Sequence, residues 1–292
     1  MNYNTKNFSY GYEAEWGDIN RDRVLPVHLG KWDYSETDVI NIYEPYKNVA
    51  CDPLGLEPNM GGEINTCPSK NYIEQVKKII ELRDWFINEG DKPSVCTTAH
   101  SHVHIHVPNL TKDIDALKKL ILYIQENQET TVKYVYKFKY TPELKKYKNA
   151  TMYHKFDGGR LMPDYICENI LTKANNFNDF IKLHAAGKDG VSMGRPFRYA
   201  INTYSLKHIS TIEFRCFRAT IDEKQTHDIF KFVEKFIDAA LNDGPSVYEI
   251  LFGQKYDYDF PPMIWDADQY AGYLSTKYDK SRGEKNREFI SL

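Results

Sequence analysis

The chain carries Gly11-Tyr12-Glu13-Ala14-Glu15, in which two carboxylates stand two residues apart. Successive side chains of a β-strand point to opposite faces, so Glu13 and Glu15 would share one face of a strand. The intervening apolar positions would share the other face with Trp16. The stretch therefore predicts a strand with one apolar face for the core and one acidic face.

The same alternation recurs in two later segments. Imidazoles alternate with aliphatic residues in Ser101-His102-Val103-His104-Ile105-His106-Val107, and charged residues alternate with apolar ones in Thr211-Ile212-Glu213-Phe214-Arg215. If these strands join one antiparallel sheet, helices can cover its apolar face while the other face collects the polar groups. We therefore expect an α+β fold, with a mainly antiparallel, curved sheet, helices packed on one face and a candidate active site on the other.

Three more strands are predicted around these segments. Asn48-Val49-Ala50-Cys51-Asp52 is followed by a Pro/Gly-rich turn and then by Gly61-Gly62-Glu63-Ile64-Asn65-Thr66. Glu63 would add a carboxylate to the polar face. Residues 198–202 form the third predicted strand, which would turn back through 205–210 into the strand that carries Glu213.

Apolar residues at helical spacing predict several helices. One extends from Asn71 to Asn88, where Gly90 would end it, and another follows Thr111 as a predicted N-cap. A shorter helix is expected at Phe177–Ala186. The widest apolar stripe follows Asp222, which is placed to cap a helix that ends before Gly244.

Lys133–Tyr140 alternates lysines with aromatic residues and is predicted to be a strand. Interleaved cations and rings are one way to bind a nucleic-acid backbone and its bases. A half-buried strand with a solvated lysine row is the favoured interpretation, because such rows commonly protect sheet edges.

The composition is typical of a packed globular protein, and the small net charge produces no strong overall electrostatic field. The 292 residues include 41% hydrophobic and 14% aromatic residues, and the net charge of -3 does not favour nucleic acid or an anionic membrane as partner. The five cysteines are scattered, which is typical of free thiols in a reducing compartment. With no apolar run near the ~20 residues of a membrane span, we expect a soluble, cytoplasmic protein. Residues 1–292 would form one catalytic domain, with a partly helical C-terminal extension from about residue 262.

The polar residues of the predicted sheet suit metal-assisted phosphoryl chemistry. Hard cations such as Mg²⁺ take oxygen ligands, which Glu13, Glu15, Glu63 and Glu213 could supply. A histidine among them shifts the preference towards Mn²⁺ or another transition ion. The planar guanidinium of Arg215 suits a phosphate or a developing anionic oxygen.

The motif series resembles that of the amidoligases, a family of the carboxylate-amine ligase superfamily that includes glutamine synthetase and glutamate-cysteine ligase. The resemblance spans about residues 11–220 and rests on Gly11–Glu15, Gly62-Glu63-Ile64, His104-Ile105-His106-Val107, and Asn202 followed by Thr211–Phe217, in the family's order. It implies an ATP-dependent ligase in which a carboxylate attacks the terminal phosphate and an amine displaces phosphate from the acyl-phosphate. The implied substrates are an amino acid, peptide or protein and an amine co-substrate, with no implied oligomeric state.

The resemblance also implies two or three Mg²⁺ or Mn²⁺ ions and roles for individual residues. By position, Glu15 and Glu63 would hold one ion, and another that bridges the ATP phosphates would be held by Glu13, His104 and Glu213. Among these ligands, Glu13 and Glu63 would act in catalysis.

Other residues would contact the nucleotide. His106 and Arg215 would bind phosphate oxygens, with Arg215 stabilising the transferring group, and Asn202 and Arg198 would line the site near substrate or phosphate. Asp52 would lie on the preceding strand, where relatives carry an acidic residue.

Two departures from the family pattern, an extra histidine and a missing small residue, concern the histidine segment, and the first leaves its register open. The family has a single His-x-His pair after a small residue, whereas this chain has His102 and Val103 before its last pair. The functional pair is therefore His104/His106 or His102/His104. We favour the first, because Val107 completes the usual apolar alternation.

Two other function classes fit the same residues. A metal-dependent hydrolase or cupin-like enzyme centred on His102, His104 and His106 would bind zinc, iron or manganese without nucleotide. The second is a non-catalytic binding module of the same fold, whose biological activity would be unchanged by Glu13→Gln or Arg215→Ala.

Overall fold

The computed structural model describes residues 3–20, 40–43, 60–93, 100–135, 161–186, 199–218 and 220–253. Six strands in this part of the chain form one sheet, in the order β2-β3-β1-β4-β6-β5. All of its neighbouring strands pair antiparallel. The strands are β1 (Ser9–Asn20), β2 (Ile40–Tyr43), β3 (Met60–Thr66), β4 (His100–His106), β5 (Ile201–Asn202) and β6 (Ile212–Arg218). Because β2 and β5 are the two edges, the described sheet is open and does not close into a barrel.

Seven α-helices accompany the sheet within the same described ranges. They are α1 (Tyr72–Asn88), α2 (Ile114–Val135), α3 (Asp164–Lys173), α4 (Phe177–Ala185), α5 (Leu206–Ile209), α6 (Glu223–Leu241) and α7 (Val247–Phe252). Helix α1 contacts β1, α2 contacts β6, and α6 contacts β4 as well as α1 and α2. The expected α+β class is therefore confirmed. No helix in the described ranges combines the length and apolar character needed to cross a membrane.

The alternation of β1 decides which face of the sheet becomes the core. Tyr10, Tyr12 and Trp16 are almost completely buried, while Glu13 and Glu15 between and beside them are only partly buried. The Tyr12 ring lies 5.4 Å from that of Phe230 in α6. Large aromatic side chains thus fix β1 to the helical layer and leave its carboxylates on the opposite face.

Two predicted capping residues mark a helix boundary in the structure, Gly90 at the end of α1 and Asp222 at the beginning of α6. After α1, Gly90 adopts a positive φ of 92°, which a residue with a side chain rarely adopts, and its N–H donates to the Ile87 carbonyl. Before α6, the Asp222 carboxylate accepts a hydrogen bond of 2.7 Å from the backbone N–H of Gln225. Both signals were correctly located from sequence.

The region around α2 corrects two predictions. Thr111 lies in a short 3₁₀ turn, and the cap is Asp113, whose Oδ1 accepts from the Ala116 N–H at 3.0 Å. Lys133–Val135 are the last residues of α2, so the predicted strand is wrong at its first three residues. A short period-two pattern also occurs by chance on a helix, and here buried Thr131 and Val132 continue the helical core stripe.

The connection between β5 and β6 contains the short helix α5, and α3 was not predicted from the sequence. The predicted strand at 48–52, residues 136–140, Asp52, Arg198 and the proposed extension from about 262 lie outside the described residues.

Candidate metal centre

Strand register brings three sequence-distant polar residues together on the face opposite the helices. On the central strands, Glu13 of β1 is the Cα partner of His102 in β4. His104 in turn is the partner of Glu213 in β6, and Glu213 is the partner of Asn202 in β5. The antiparallel order places Glu13 diagonally across from His104, so carboxylates from β1 and β6 approach one imidazole from both sides.

Glu13, His104 and Glu213 could hold a metal ion. Each residue offers one ligand atom, and the three atoms lie within 4.8 Å of one another. His104 Nε2 lies 3.0 Å from Glu13 Oε1 and 4.0 Å from Glu213 Oε1. Two carboxylate oxygens and one imidazole nitrogen form a donor set that suits Mn²⁺ and other first-row divalent ions, as well as Mg²⁺ with retained water.

The orientation of the His104 ring is fixed by a hydrogen bond of Nδ1, the ring nitrogen that faces away from the carboxylates. His104 Nδ1 lies 3.0 Å from the Thr211 hydroxyl oxygen, just before β6. With Nδ1 as donor in this bond, Nε2 of the neutral ring would carry the lone pair that a metal ion needs, which is the usual arrangement of metal-binding histidines. Nε2 is buried and has no hydrogen bond among the described residues, and Glu13 Oε1 lies 3.0 Å from it. A buried nitrogen without such a bond fits a site built for an ion.

The Oε2 atom of each glutamate contacts a neighbouring side chain. Glu13 Oε2 lies 2.9 Å from His102 Nδ1, and Glu213 Oε2 accepts a hydrogen bond of 2.7 Å from the Asn202 amide. The Oε1 atoms of both glutamates are therefore the ones turned towards His104 Nε2. One oxygen of each carboxylate thus faces His104, and that of Glu213 also contacts Arg215.

The carboxylates and imidazoles of the cluster shift each other's pKa values towards their charged forms. Burial alone would raise the pKa of the Glu13 carboxyl, but its contacts with His102 and His104 outweigh burial and hold the pKa well below its usual value. Burial alone would lower the pKa of His104, but the Glu13 and Glu213 carboxylates outweigh burial and raise it. The carboxylates thus favour a positive charge at the position between them, whether a proton or a cation supplies it.

Arg215 already neutralises part of this negative charge. Its guanidinium Nη1 forms a close ion pair with Glu213 Oε1, the oxygen turned towards His104. Arg215 Nε is buried and has no hydrogen-bond partner among the described residues. Part of the guanidinium's donor capacity is therefore unused among the described residues.

His106 lies at the end of the same strand face, apart from the cluster of three ligands. Its Nδ1–H donates to the Ser210 carbonyl at 2.8 Å, and Ser210 takes the left-handed conformation that ends α5. This bond fixes the ring at the junction of β4 with the β5–β6 connection. The predicted contact of His106 with phosphate stays a prediction.

The two predicted ligands of the second ion lie on the paired strands β1 and β3. Glu15 and Glu63 are Cα partners, so both belong to the same row across the sheet. Glu15 is half-buried, and the side chain of Glu63 lies outside what the structure describes. The predicted second ion therefore has a backbone position but no described ligand geometry.

Gly11 keeps space open beside His104, its Cα partner across β1 and β4. A Cβ built on Gly11 would lie 3.6 Å from His104 Cβ and 3.9 Å from the Thr66 carbonyl oxygen. Those are ordinary contacts, so the backbone does not require glycine. A longer side chain would extend over the imidazole on the polar face.

Two contacts of the centre were not predicted from the sequence. Thr211 had no predicted role and His102 was considered only as a metal ligand, although period-two alternation places Thr211 on the face of Glu213, and His102 on the face of His104. That alternation was the available signal for both. The partners could not be predicted because they depend on strand order and register.

Comparison of the chain with protein-family models, curated proteins and solved structures finds no match.

Proposed function

We propose that this protein is an ATP-dependent carboxylate-amine ligase whose Glu13/His104/Glu213 cluster holds a divalent ion at the ATP phosphates. The observation that carries the proposal is the convergence of two carboxylates on the buried Nε2 of His104, with the Arg215 guanidinium beside them. An open antiparallel sheet with helices on one face also fits a glutamine synthetase-like catalytic domain.

The chemistry asks little of the protein beyond positioning and charge. A divalent ion, when bound, supplies positive charge that offsets the phosphate oxygens. The oxygen of a substrate carboxylate attacks the terminal phosphorus of ATP, and the bond from that phosphorus to the bridging oxygen breaks, which releases ADP. The amine nitrogen then attacks the acyl-phosphate carbon, phosphate leaves, and the nitrogen loses a proton. No covalent enzyme nucleophile is required.

Arg215 would have two partners in this scheme. In the described arrangement its guanidinium lies on Glu213 Oε1, an oxygen that the metal centre would need. An ion there would take over the neutralisation of Glu213 and leave the guanidinium for the transferring phosphoryl group. His106, Asn202 and Arg198 would contribute along the same face, and Glu15 with Glu63 would hold a further Mg²⁺ or Mn²⁺.

Trapping of the acyl-phosphate tests the ligase directly. Purified protein with ATP, Mn²⁺ and mixtures of amino acids or acidic peptides is expected to release ADP, and added hydroxylamine is expected to convert the activated carboxylate to a hydroxamate. Glu13→Gln and Glu213→Gln should abolish both products. Glu74→Gln changes an exposed carboxylate on α1 and serves as the matched control. No nucleotide binding with either Mg²⁺ or Mn²⁺ would contradict the proposal.

A metal-dependent hydrolase is the second candidate, favoured by one contact. His102 Nδ1 lies 2.9 Å from Glu13 and 3.7 Å from Glu213, so a second imidazole borders the cluster. A hydrolase of this kind would purify with stoichiometric zinc, iron or manganese and would hydrolyse its substrate without ATP. Metal analysis of the purified protein, combined with the nucleotide assay, separates the two candidates.

A further inference from the structure

Among the described side chains of β4, His102 contacts both carboxylates of the cluster, as His104 does, but it has no role in the proposed reaction. Its side chain is only 10% exposed. It is the Cα partner of Glu13, and its Nδ1 lies 2.9 Å from Glu13 Oε2 and 3.7 Å from Glu213 Oε1. Burial of a polar ring between two carboxylates is costly unless the ring is hydrogen-bonded, and the contact with Glu13 supplies such a bond.

The contact to Glu13 matches one on the other side of the cluster. Asn202 donates to Glu213 Oε2 from the strand that neighbours β6, and His102 approaches Glu13 Oε2 from the strand that neighbours β1. In both cases the anchored oxygen is Oε2, while Oε1 faces His104 Nε2. Two unrelated residues thus perform the same task for two carboxylates.

Glu13 needs such an anchor more than Glu213 does. The Glu13 side chain is 31% exposed, compared with 8% for Glu213, so packing restrains it less. A glutamate side chain loses rotamer entropy when it is fixed, and for an unfixed carboxylate this loss would weaken the binding of an ion. A donor on Oε2 fixes the Glu13 side chain before the ion binds and also keeps it from turning both oxygens inward.

We infer that His102 is a positioning residue, which donates from Nδ1 to Glu13 Oε2 and thereby presents Glu13 Oε1 to the ion beside His104. It is not one of the three residues whose ligand atoms converge within 4.8 Å. The inference rests on the proposed metal centre and adds to it a residue that orients a ligand without binding the ion. It also explains why an extra histidine precedes the His104/His106 pair in this chain.

A pair of substitutions tests this role. The Asn side-chain nitrogen lies as many bonds from Cα as His Nδ1, so His102→Asn keeps a donor in place, whereas His102→Ala removes it. Mn²⁺ affinity, measured by calorimetry, is expected to fall about 10- to 100-fold in His102→Ala, as for other residues that orient metal ligands. His102→Asn should regain most of that loss. His208→Ala, at an exposed histidine of α5, should bind Mn²⁺ like the wild type.

The absorption spectrum of bound Co²⁺ provides a second readout, because it reports the ligand set. It should keep its shape in both His102 variants, since the ligands are unchanged. Wild-type affinity in His102→Ala, or an Asn variant no better than Ala, would overturn the positioning role, and an altered Co²⁺ spectrum would identify His102 as a ligand instead. A wild-type protein that binds no Mn²⁺ would overturn the metal centre itself, so the two failures are distinguishable.

Discussion

His184 and His104 are both largely buried, but their surroundings differ in charge. His184, at the end of α4, is fully buried among aromatic side chains, with ring centroids 5.6 Å from Tyr199 and 5.5 Å from Tyr204. Burial lowers its pKa to about 4. His104, whose side chain is 12% exposed, has a raised pKa because the Glu13 and Glu213 carboxylates outweigh burial.

The difference shows what separates a structural histidine from a candidate ligand in this fold. Burial alone disfavours the charged imidazole, as at His184. The carboxylates that strand register brings to His104 reverse that effect, and the same three residues could hold a cation.

The largest expected effect is acid destabilisation through His184. The unfolded chain protonates this histidine near its ordinary pKa of about 6.5, while the folded protein resists protonation until about pH 4. The contribution of His184 to stability is therefore constant well above pH 6.5 and is lost as the pH drops from there towards 4. The loss approaches about 3 kcal/mol, at ~1.4 kcal/mol per pKa unit. Urea unfolding across this range measures it.

The matched variant for that experiment is His184→Leu, which has no proton to bind. Its free energy of unfolding should fall less than that of the wild type over the same pH interval. The difference between the two decreases is the contribution of His184. Equal slopes in the two proteins would show that His184 does not remain neutral in the fold.

Glu213→Gln breaks the charged environment instead. Removing one carboxylate from the cluster should weaken Mn²⁺ binding on the order of 100-fold, which corresponds to about 2.7 kcal/mol. The physical reason is that the amide keeps the shape of the side chain but loses the charge that favours a cation. Calorimetric titration against wild type and Glu74→Gln gives the comparison, and unchanged affinity would remove Glu213 from the site.

Arg215→Ala should change metal and nucleotide binding in opposite directions. The guanidinium competes for Glu213 Oε1, so its removal should tighten Mn²⁺ binding by a few-fold, a modest effect because Arg215 is partly exposed. ATP binding should weaken, because the forked donor for phosphate is lost. Arg215→Lys should restore the charge but not the forked geometry. Weaker binding of both ligands to Arg215→Ala would argue that Arg215 only supports the fold.

The smallest effect is expected at Gly11→Ala. The added Cβ would make only ordinary contacts with His104 and the Thr66 carbonyl, so unfolding free energy should change by less than about 1 kcal/mol. Mn²⁺ affinity should stay near that of the wild type. Gly11→Leu, which would extend over the imidazole, should weaken Mn²⁺ binding while the protein stays folded. Equal metal binding by both variants would show that the space beside His104 is not used.

Much of the fold follows from alternation that is visible in the sequence. The faces of β1, β4 and β6 were predicted correctly because aromatic and aliphatic residues occupy every second position. The strand prediction for Lys133–Tyr140 failed at Lys133–Val135, because a short alternating window does not exclude a helix that tertiary packing continues.

The site was less accessible to sequence reasoning than the sheet. Alternation predicted that Glu13, His104 and Glu213 share a face, but only the order of β1, β4 and β6 makes them neighbours. Hydrogen-bond partners such as Thr211 for His104 depend on register, and a shift of one residue would turn every side chain of a strand to the other face. Residue types indicate chemistry, and register decides which of them meet.

The most direct test of the metal centre is a Mn²⁺ titration of the wild-type protein followed by electron paramagnetic resonance, in which free Mn²⁺ gives the signal. We expect the protein to remove Mn²⁺ from solution, more strongly when ATP is present, and His104→Gln to lose this ability while remaining folded. A folded wild-type protein that leaves the free Mn²⁺ signal undiminished, with and without ATP, would contradict the central claim that Glu13, His104 and Glu213 form a metal centre.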